Sequence, residues 1–117
     1  MIAGIGLDIV DIERINKAYI KRPSFADRVL TTNELEYFHS LKGTRKIEFL
    51  AGRFSAKEAY SKALGTGIGK LTFRDVEILP DDQGKPTITV CPFPGKAWVS
   101  ISHTGTIAVA QVILENK

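Results

Sequence analysis

An α+β fold, with a long central helix packed on an antiparallel sheet, is what this sequence predicts. Three observations predict it. Helical periodicity fills most of the first half of the chain, and β-like segments crowd the second. The stretch from about Arg45 to Leu64 carries two apolar stripes, Ile47, Leu50, Ala51 and Phe54 on one side and Phe49, Ala56, Ala59, Tyr60 and Ala63 on the other. A helix apolar on two sides is central and packed on both. Finally, "FRDVEIL", "PTITV", "AWVSIS" and "TIAVAQVIL" alternate or run apolar between turn residues, as strands do.

The elements follow in order. Residues 2–10 read as a strand, with Ala3, Ile5, Leu7 and Ile9 on one face and Gly4, Gly6, Asp8 and Val10 on the other. Asp11 caps a helix from Ile12 to about Lys21. "RPSFADRVL" is a break and then a short turn or helix, and "TTNELEYFHSL" is a second helix capped by Thr31 or Thr32. The long helix stops at Gly65, a common C-terminal signal. "PDDQGKP" joins the first two later strands and "HTG" the last two. Ala97 to Leu114 lacks Lys, Arg, Asp and Glu, but its polar middle "SISHTGT" predicts two strands about a turn, not a membrane span.

The totals set limits. The chain has 117 residues, 44% hydrophobic and 25% charged, which suits one soluble domain over residues 1–117. A net charge of +3 favours anionic partners without the density of a nucleic-acid binder. Cys91 is the only cysteine, which excludes an intrachain disulfide and a cysteine-rich zinc site. "MIAGIGLD" has no basic region ahead of its apolar run, so no leader, no membrane association and a cytoplasmic setting are expected.

Glu58 stands out because the stripe through Ile47, Leu50, Ala51 and Phe54 calls for an apolar residue there. A carboxylate in such a place is costly unless paired, protonated or bound to a metal. An ion pair with Lys62, four residues on, is one explanation. Asp8, beside Gly4 and Gly6, is either a strand-end cap or a second hard oxygen donor. Together Asp8 and Glu58 supply what a magnesium site requires. "GTGIG", Gly65 to Gly69, follows its helix, so it is neither a Rossmann fingerprint nor a P-loop. It is a helix stop, or backbone held close to a ligand. Lys42, Arg45, Lys46 and Arg53 are solvated charges or phosphate donors. Ser100, Ser102 and His103 form a polar surface for a phosphate or a base, or simply a turn, and no nucleophile elbow accompanies them. Arg14, Lys17 and Lys21 share one helix face, with Arg22 and Arg28 nearby, and make a docking stripe for an acidic partner.

Three stretches in this order, "GIGLDIVDIERI", "FLAGRFSAKEAYSKALGTGIG" and "SISHT", resemble the bacterial holo-acyl-carrier-protein synthases of the 4′-phosphopantetheinyl transferase superfamily. The resemblance covers essentially the whole chain. It implies transfer of the phosphopantetheine arm of coenzyme A to a serine of an apo acyl carrier protein, with release of adenosine 3′,5′-bisphosphate. Asp8 and Glu58 match the magnesium ligands, and Lys62 matches the lysine on the diphosphate. With Arg45, Arg53, Gly65, Ser102, His103 and Thr104, Lys62 is expected to hold coenzyme A. The expected catalytic set is Glu58, Lys62 and Asp8, and the expected assembly is a homotrimer with sites between subunits. A small basic adaptor that binds nucleic acid or an acidic protein and catalyses nothing is the alternative from another class. It leaves both carboxylates unexplained.

Overall fold

The computed structural model describes residues 1–117. Strand β1 (Ile2–Asp11) leads into helix α1 (Ile12–Lys21), then α2 (Ser24–Val29), α3 (Thr32–Ser40) and the long α4 (Thr44–Leu64). Strands β2 (Glu77–Pro80), β3 (Pro86–Val90), β4 (Lys96–His103) and β5 (Ile107–Glu115) follow. The helix starts are encoded locally. Asp11 accepts from the Glu13 amide, and Thr31 and Glu34 form a reciprocal capping box. Gly65 closes α4 in the left-handed region, at φ 88°, where a side chain would be strained.

One expected strand is shorter than its apolar pattern suggests. "FRDVEIL" opens as a single 3-10 turn at Phe73–Asp75, and only Glu77–Pro80 pairs, with β3. Thr72 and Asp75 satisfy each other's backbone amides, and this local bonding competes with a strand ladder.

The larger sheet has the order β1-β5-β4, antiparallel throughout. Its inner face, with Ala108, Ala110, Val112 and Leu114 of β5 fully buried, lies on α4. The core divides along α4. Its N-terminal half packs with α1 to α3 through Ile15, Val29, Leu30, Phe38 and Leu50. Its C-terminal half packs with β5 and β2 through Ala59, Tyr60, Val76 and Ile78.

The outer sheet face has no covering layer. Ile5, Ile113 and Trp98 form one cross-strand row, Leu7, Gln111 and Ser100 a second, and Ile9, Val109 and Ser102 a third. Ile5, Leu7 and Ile9 are 57–62% exposed, which is unusual for aliphatic strand residues.

Candidate active site

The site begins where β1 crosses α4. Gly4 and Gly6 press against the helix backbone: a Cβ on Gly4 would strike the carbonyl of Ala63, and one on Gly6 the carbonyl of Ala59. The receiving positions, Ala51, Ser55, Ala59 and Ala63, are small and buried, and each is four residues from the next. Two strand residues advance about 6.6 Å and four helix residues about 6 Å, so the two series stay in step. The pairing Gly4–Ala63 and Gly6–Ala59 therefore brings Asp8 to Ser55.

The bonds at Asp8 follow from that register. The Ser55 hydroxyl lies 3.2 Å from Asp8 Oδ2 and 3.0 Å from the Asp8 carbonyl oxygen, and it donates to them. Lys62 Nζ donates to Asp8 Oδ1 and to the Leu7 carbonyl, each at 3.1 Å. Glu58 lies between Ser55 and Lys62 on the same helix edge. It is half-buried, less enclosed than its stripe suggests. Burial, and then the charge of Asp8, push its carboxyl above the ordinary range, while Lys62 opposes them. The ion pair expected between Glu58 and Lys62 is thus made by Asp8 and Lys62.

No third His, Cys, Asp or Glu joins the two carboxylates in a metal-holding group. Two hard oxygen donors fit a magnesium ion that completes its shell with phosphate and water. They do not fit a closed cage built only from protein groups.

A second patch lies at the other end of α4. A hollow of about 270 Å³ is lined by Arg45, Glu48, Gly52, Arg53, Pro86 and His103, among others. His103 Nδ1 lies 3.7 Å from Glu48 Oε2, a carboxylate partner that sequence spacing concealed. Arg53 is no surface charge. It is 8% exposed, its Nε donates to the Ile78 carbonyl at 3.1 Å, and its guanidinium lies over the Phe49 ring. Burial lowers its pKa to about 10. Ser102 and His103 sit on opposite sheet faces, Ser102 with Trp98 outside and His103 with Ile101 inside, so a Ser–His pair does not form. Thr104 Oγ1 accepts from the amides of Thr106 and Ile107 and shapes the turn. Gly65 ends α4 one turn beyond Lys62.

Between Glu48 and Lys62 the helix rises roughly 21 Å.

Arg14, Lys17, Lys21, Arg22 and Arg28 are all exposed, and none makes an ion pair. Exposed Ile20 lies among them on α1.

The family model described as the 4′-phosphopantetheinyl transferase superfamily matches residues 4–112. The chain belongs to that superfamily. It is an enzyme, and phosphopantetheine transfer is its chemistry. A non-catalytic adaptor is set aside. The chain is 53% identical to a holo-[acyl-carrier-protein] synthase of Streptococcus uberis, over 100% of this chain and 99% of the relative. It is 56% identical to the Streptococcus sanguinis synthase, over 98% of this chain and 96% of that one. Among solved structures, the Bacillus anthracis synthase in complex with coenzyme A (3′,5′-ADP) is 51% identical with a TM-score of 0.93, covering 100% of this chain and 99% of its own. The Helicobacter pylori synthase in complex with coenzyme A is 35% identical with a TM-score of 0.83, over 95% and 99%. The α+β fold of this phosphopantetheinyl transferase, with its long helix on an antiparallel sheet, is the fold of those structures. No helix is long and apolar enough to cross a membrane.

Proposed function

We propose that residues 1–117 form one domain that transfers 4′-phosphopantetheine from coenzyme A to a serine of an apo acyl carrier protein, with magnesium, in the cytoplasm. The serine oxygen attacks the phosphorus that bears the pantetheine arm. The bridging P–O bond breaks, and adenosine 3′,5′-bisphosphate leaves with the bond's electron pair. The observation that carries this reading is the convergence of Asp8, Glu58 and Lys62 where β1 crosses α4.

Each residue has a role in that chemistry. Asp8 and Glu58 would hold the magnesium ion, which supplies charge neutralisation on the diphosphate. The Lys62 ammonium stabilises the charge that grows on the leaving phosphate. Glu58 also stands where it can accept the serine proton, directly or through a water. The nucleophile comes from the partner, so the enzyme needs none, and Cys91 and His103 stand outside any triad. The unpaired basic residues Arg14, Lys17, Lys21, Arg22 and Arg28 form the docking surface for the acidic carrier. Mass spectrometry of an apo carrier protein incubated with coenzyme A, magnesium and this enzyme tests the reading. Appearance of the phosphopantetheinyl adduct with magnesium and its absence in chelator are expected. Adduct formation in chelator would sink the metal role.

The reading extends to assembly. The uncovered sheet face bearing Ile5, Leu7, Ile9 and Trp98 suits self-association. The distance between the two ligand patches of one chain supports sites shared between subunits. Lys62, Glu58 and Asp8 come from one chain, and Arg45, Arg53, His103, Thr104 and Ser102 from its neighbour. A homotrimer is the assembly proposed, and the number three rests on the family resemblance. Mixing and reassembling Glu58→Ala with His103→Ala, each inactive alone, should restore part of the activity. An active monomer in light scattering at assay concentration would refute shared sites.

A further inference from the structure

The two oxygens of Asp8 are held in different ways. Oδ2 faces Ser55, a side chain that is completely buried. A helical serine often turns its hydroxyl to the carbonyl four residues back. Ser55 instead donates across to β1, and its single proton is shared between the Asp8 carboxylate and carbonyl. Oδ1 faces Lys62, whose side chain is 53% exposed while that of Asp8 is 15% exposed. One contact is sealed inside the helix–strand junction. The other opens to solvent, on a flexible four-carbon stem.

We propose that Ser55 is the positioning residue of the Asp8 carboxylate, fixing Oδ2 inward so that Oδ1 is the oxygen offered to a divalent cation, and that the Lys62 ammonium is the counter-ion which the cation displaces. This rests on the reading of Asp8 and Glu58 as cation ligands. It adds to that reading an order of events within the chain. Before a cation arrives, Lys62 neutralises Asp8. On arrival the ammonium leaves Oδ1 and is free to meet a phosphate. The contacts to Asp8 and to the Leu7 carbonyl occupy two of the three ammonium protons and hold the chain against β1, so leaving Oδ1 lets it swing toward a phosphate. With Oδ2 held by Ser55, Asp8 offers a single oxygen. That suits magnesium, which keeps a strict octahedral shell, better than calcium, which accepts bidentate carboxylates.

Binding of Mn²⁺ alone, without coenzyme A, tests this by electron paramagnetic resonance on the whole enzyme. Ser55→Ala should weaken Mn²⁺ binding about tenfold, the worth of a hydrogen bond to a charged group. It should also narrow the preference for Mg²⁺ over Ca²⁺ in competition, a readout that a merely structural serine would not move. Ser55→Cys is close to isosteric and a poor donor, so it should behave as Ser55→Ala does and guards against a folding defect. Lys62→Met should act in the opposite direction and tighten Mn²⁺ binding about two- to fivefold, the range of an exposed ion pair. In the wild type, the ¹⁵N signal of Lys62 Nζ should shift during Mg²⁺ titration in step with metal binding. An unaltered Mn²⁺ affinity in the Ser55 variants or in Lys62→Met, or a Lys62 signal that stays still while Mg²⁺ binds, would overturn the proposal. A wild type that binds Mn²⁺ only when coenzyme A is present would overturn the inference and leave the metal reading standing, and one that transfers phosphopantetheine yet binds no Mn²⁺ with or without coenzyme A would sink both. Intact binding and transfer with unmoved variants would sink the inference alone.

Discussion

Of the three lysines on helix α4, two that stand five positions apart, Lys57 and Lys62, are each paired with a carboxylate. Lys57 donates to Glu34 and to the Val29 carbonyl, and both side chains are wholly buried. The remaining capacity of Glu34 is filled by the amides of Ile78 and Thr31. Lys62 meets Asp8 at the surface and leaves half of its own side chain in water. The first pair joins the end of α2, α3, α4 and β2 at one point, and every polar group in it is satisfied. The second has as many partners on its ammonium but lies open to water, with room to move. A charge pair becomes part of the architecture when it is sealed and satisfied on all sides. It becomes chemistry when one partner can leave at little cost.

The largest effect expected bears on the open pair. Asp8→Ala and Glu58→Ala should each lower transfer at least about a thousandfold, the scale of losing charge stabilisation in a transition state, with the fold retained. The Glu58 carboxyl is raised, so the folded chain holds that proton more tightly than the unfolded chain does. Stability therefore falls as pH rises from the ordinary carboxylate value through the raised one, and it stays lower above. In metal-free buffer at pH 7, Glu58→Ala should melt no lower than the wild type. A variant that loses activity only by unfolding would blur the contrast between the pairs.

Next comes the sealed pair. Lys57→Met strands the Glu34 carboxylate in the core and should cost about 3–5 kcal/mol in chemical denaturation. Lys62→Met should change stability by under about 1 kcal/mol. Comparable losses in the two variants would erase the distinction.

Smaller again is docking. Arg14→Glu or Lys21→Glu should raise KM for the carrier protein severalfold, more at low salt, and leave KM for coenzyme A nearly unchanged. Equal effects on both substrates would move the basic stripe to the nucleotide site.

The smallest concerns Glu77, which borders the sealed pair. Its burial raises the carboxyl, but hydrogen bonds from Thr31 and Thr89 outweigh that and hold it below the ordinary range. The stability it adds is present above the ordinary carboxylate value and is lost as pH falls through the lowered one. Thr89→Val should therefore shift the acid-unfolding midpoint slightly upward, as followed by circular dichroism. No shift would mean that the Thr31 bond suffices.

Much of this fold was legible because its signals are local. The Asp11 cap, the Thr31 box, the Gly65 stop and the period change after α4 each depend on neighbours a few residues apart. Glu58 and Asp8 were legible as misfits to a stripe and to a strand face. Glu34 and Lys57 were not, because each looks like an ordinary helix surface residue until the packing of α3 on α4 seals both. Glu48 beside His103 is likewise a through-space pairing. Arg53 read as a surface cation because nothing local marks the Ile78 carbonyl as its destination. Ser55 had a signal that pairing the two elements would have revealed. It is the one polar member of the series Ala51, Ser55, Ala59 and Ala63, opposite the one charged member of Gly4, Gly6, Asp8 and Val10.

The pairing of β1 with β5 also bears on how the enzyme acquires its competence. Asp8 lies opposite Ala110, and β1 has no other strand partner. The first strand must wait for the last before it has a ladder to join. Contacts that span so much sequence form slowly, since the loop between them must first be closed. During synthesis the helices can gather while β1 remains unpaired, its aliphatic residues exposed on an open edge. A ribosome-bound fragment that lacks β5 would thus carry Glu58 and Lys62 on a formed helix, with no fixed aspartate for them to meet. The junction of Asp8 with Ser55 and Lys62 would form in a single late step, when β5 slots between β1 and β4, and only then could subunits assemble around it.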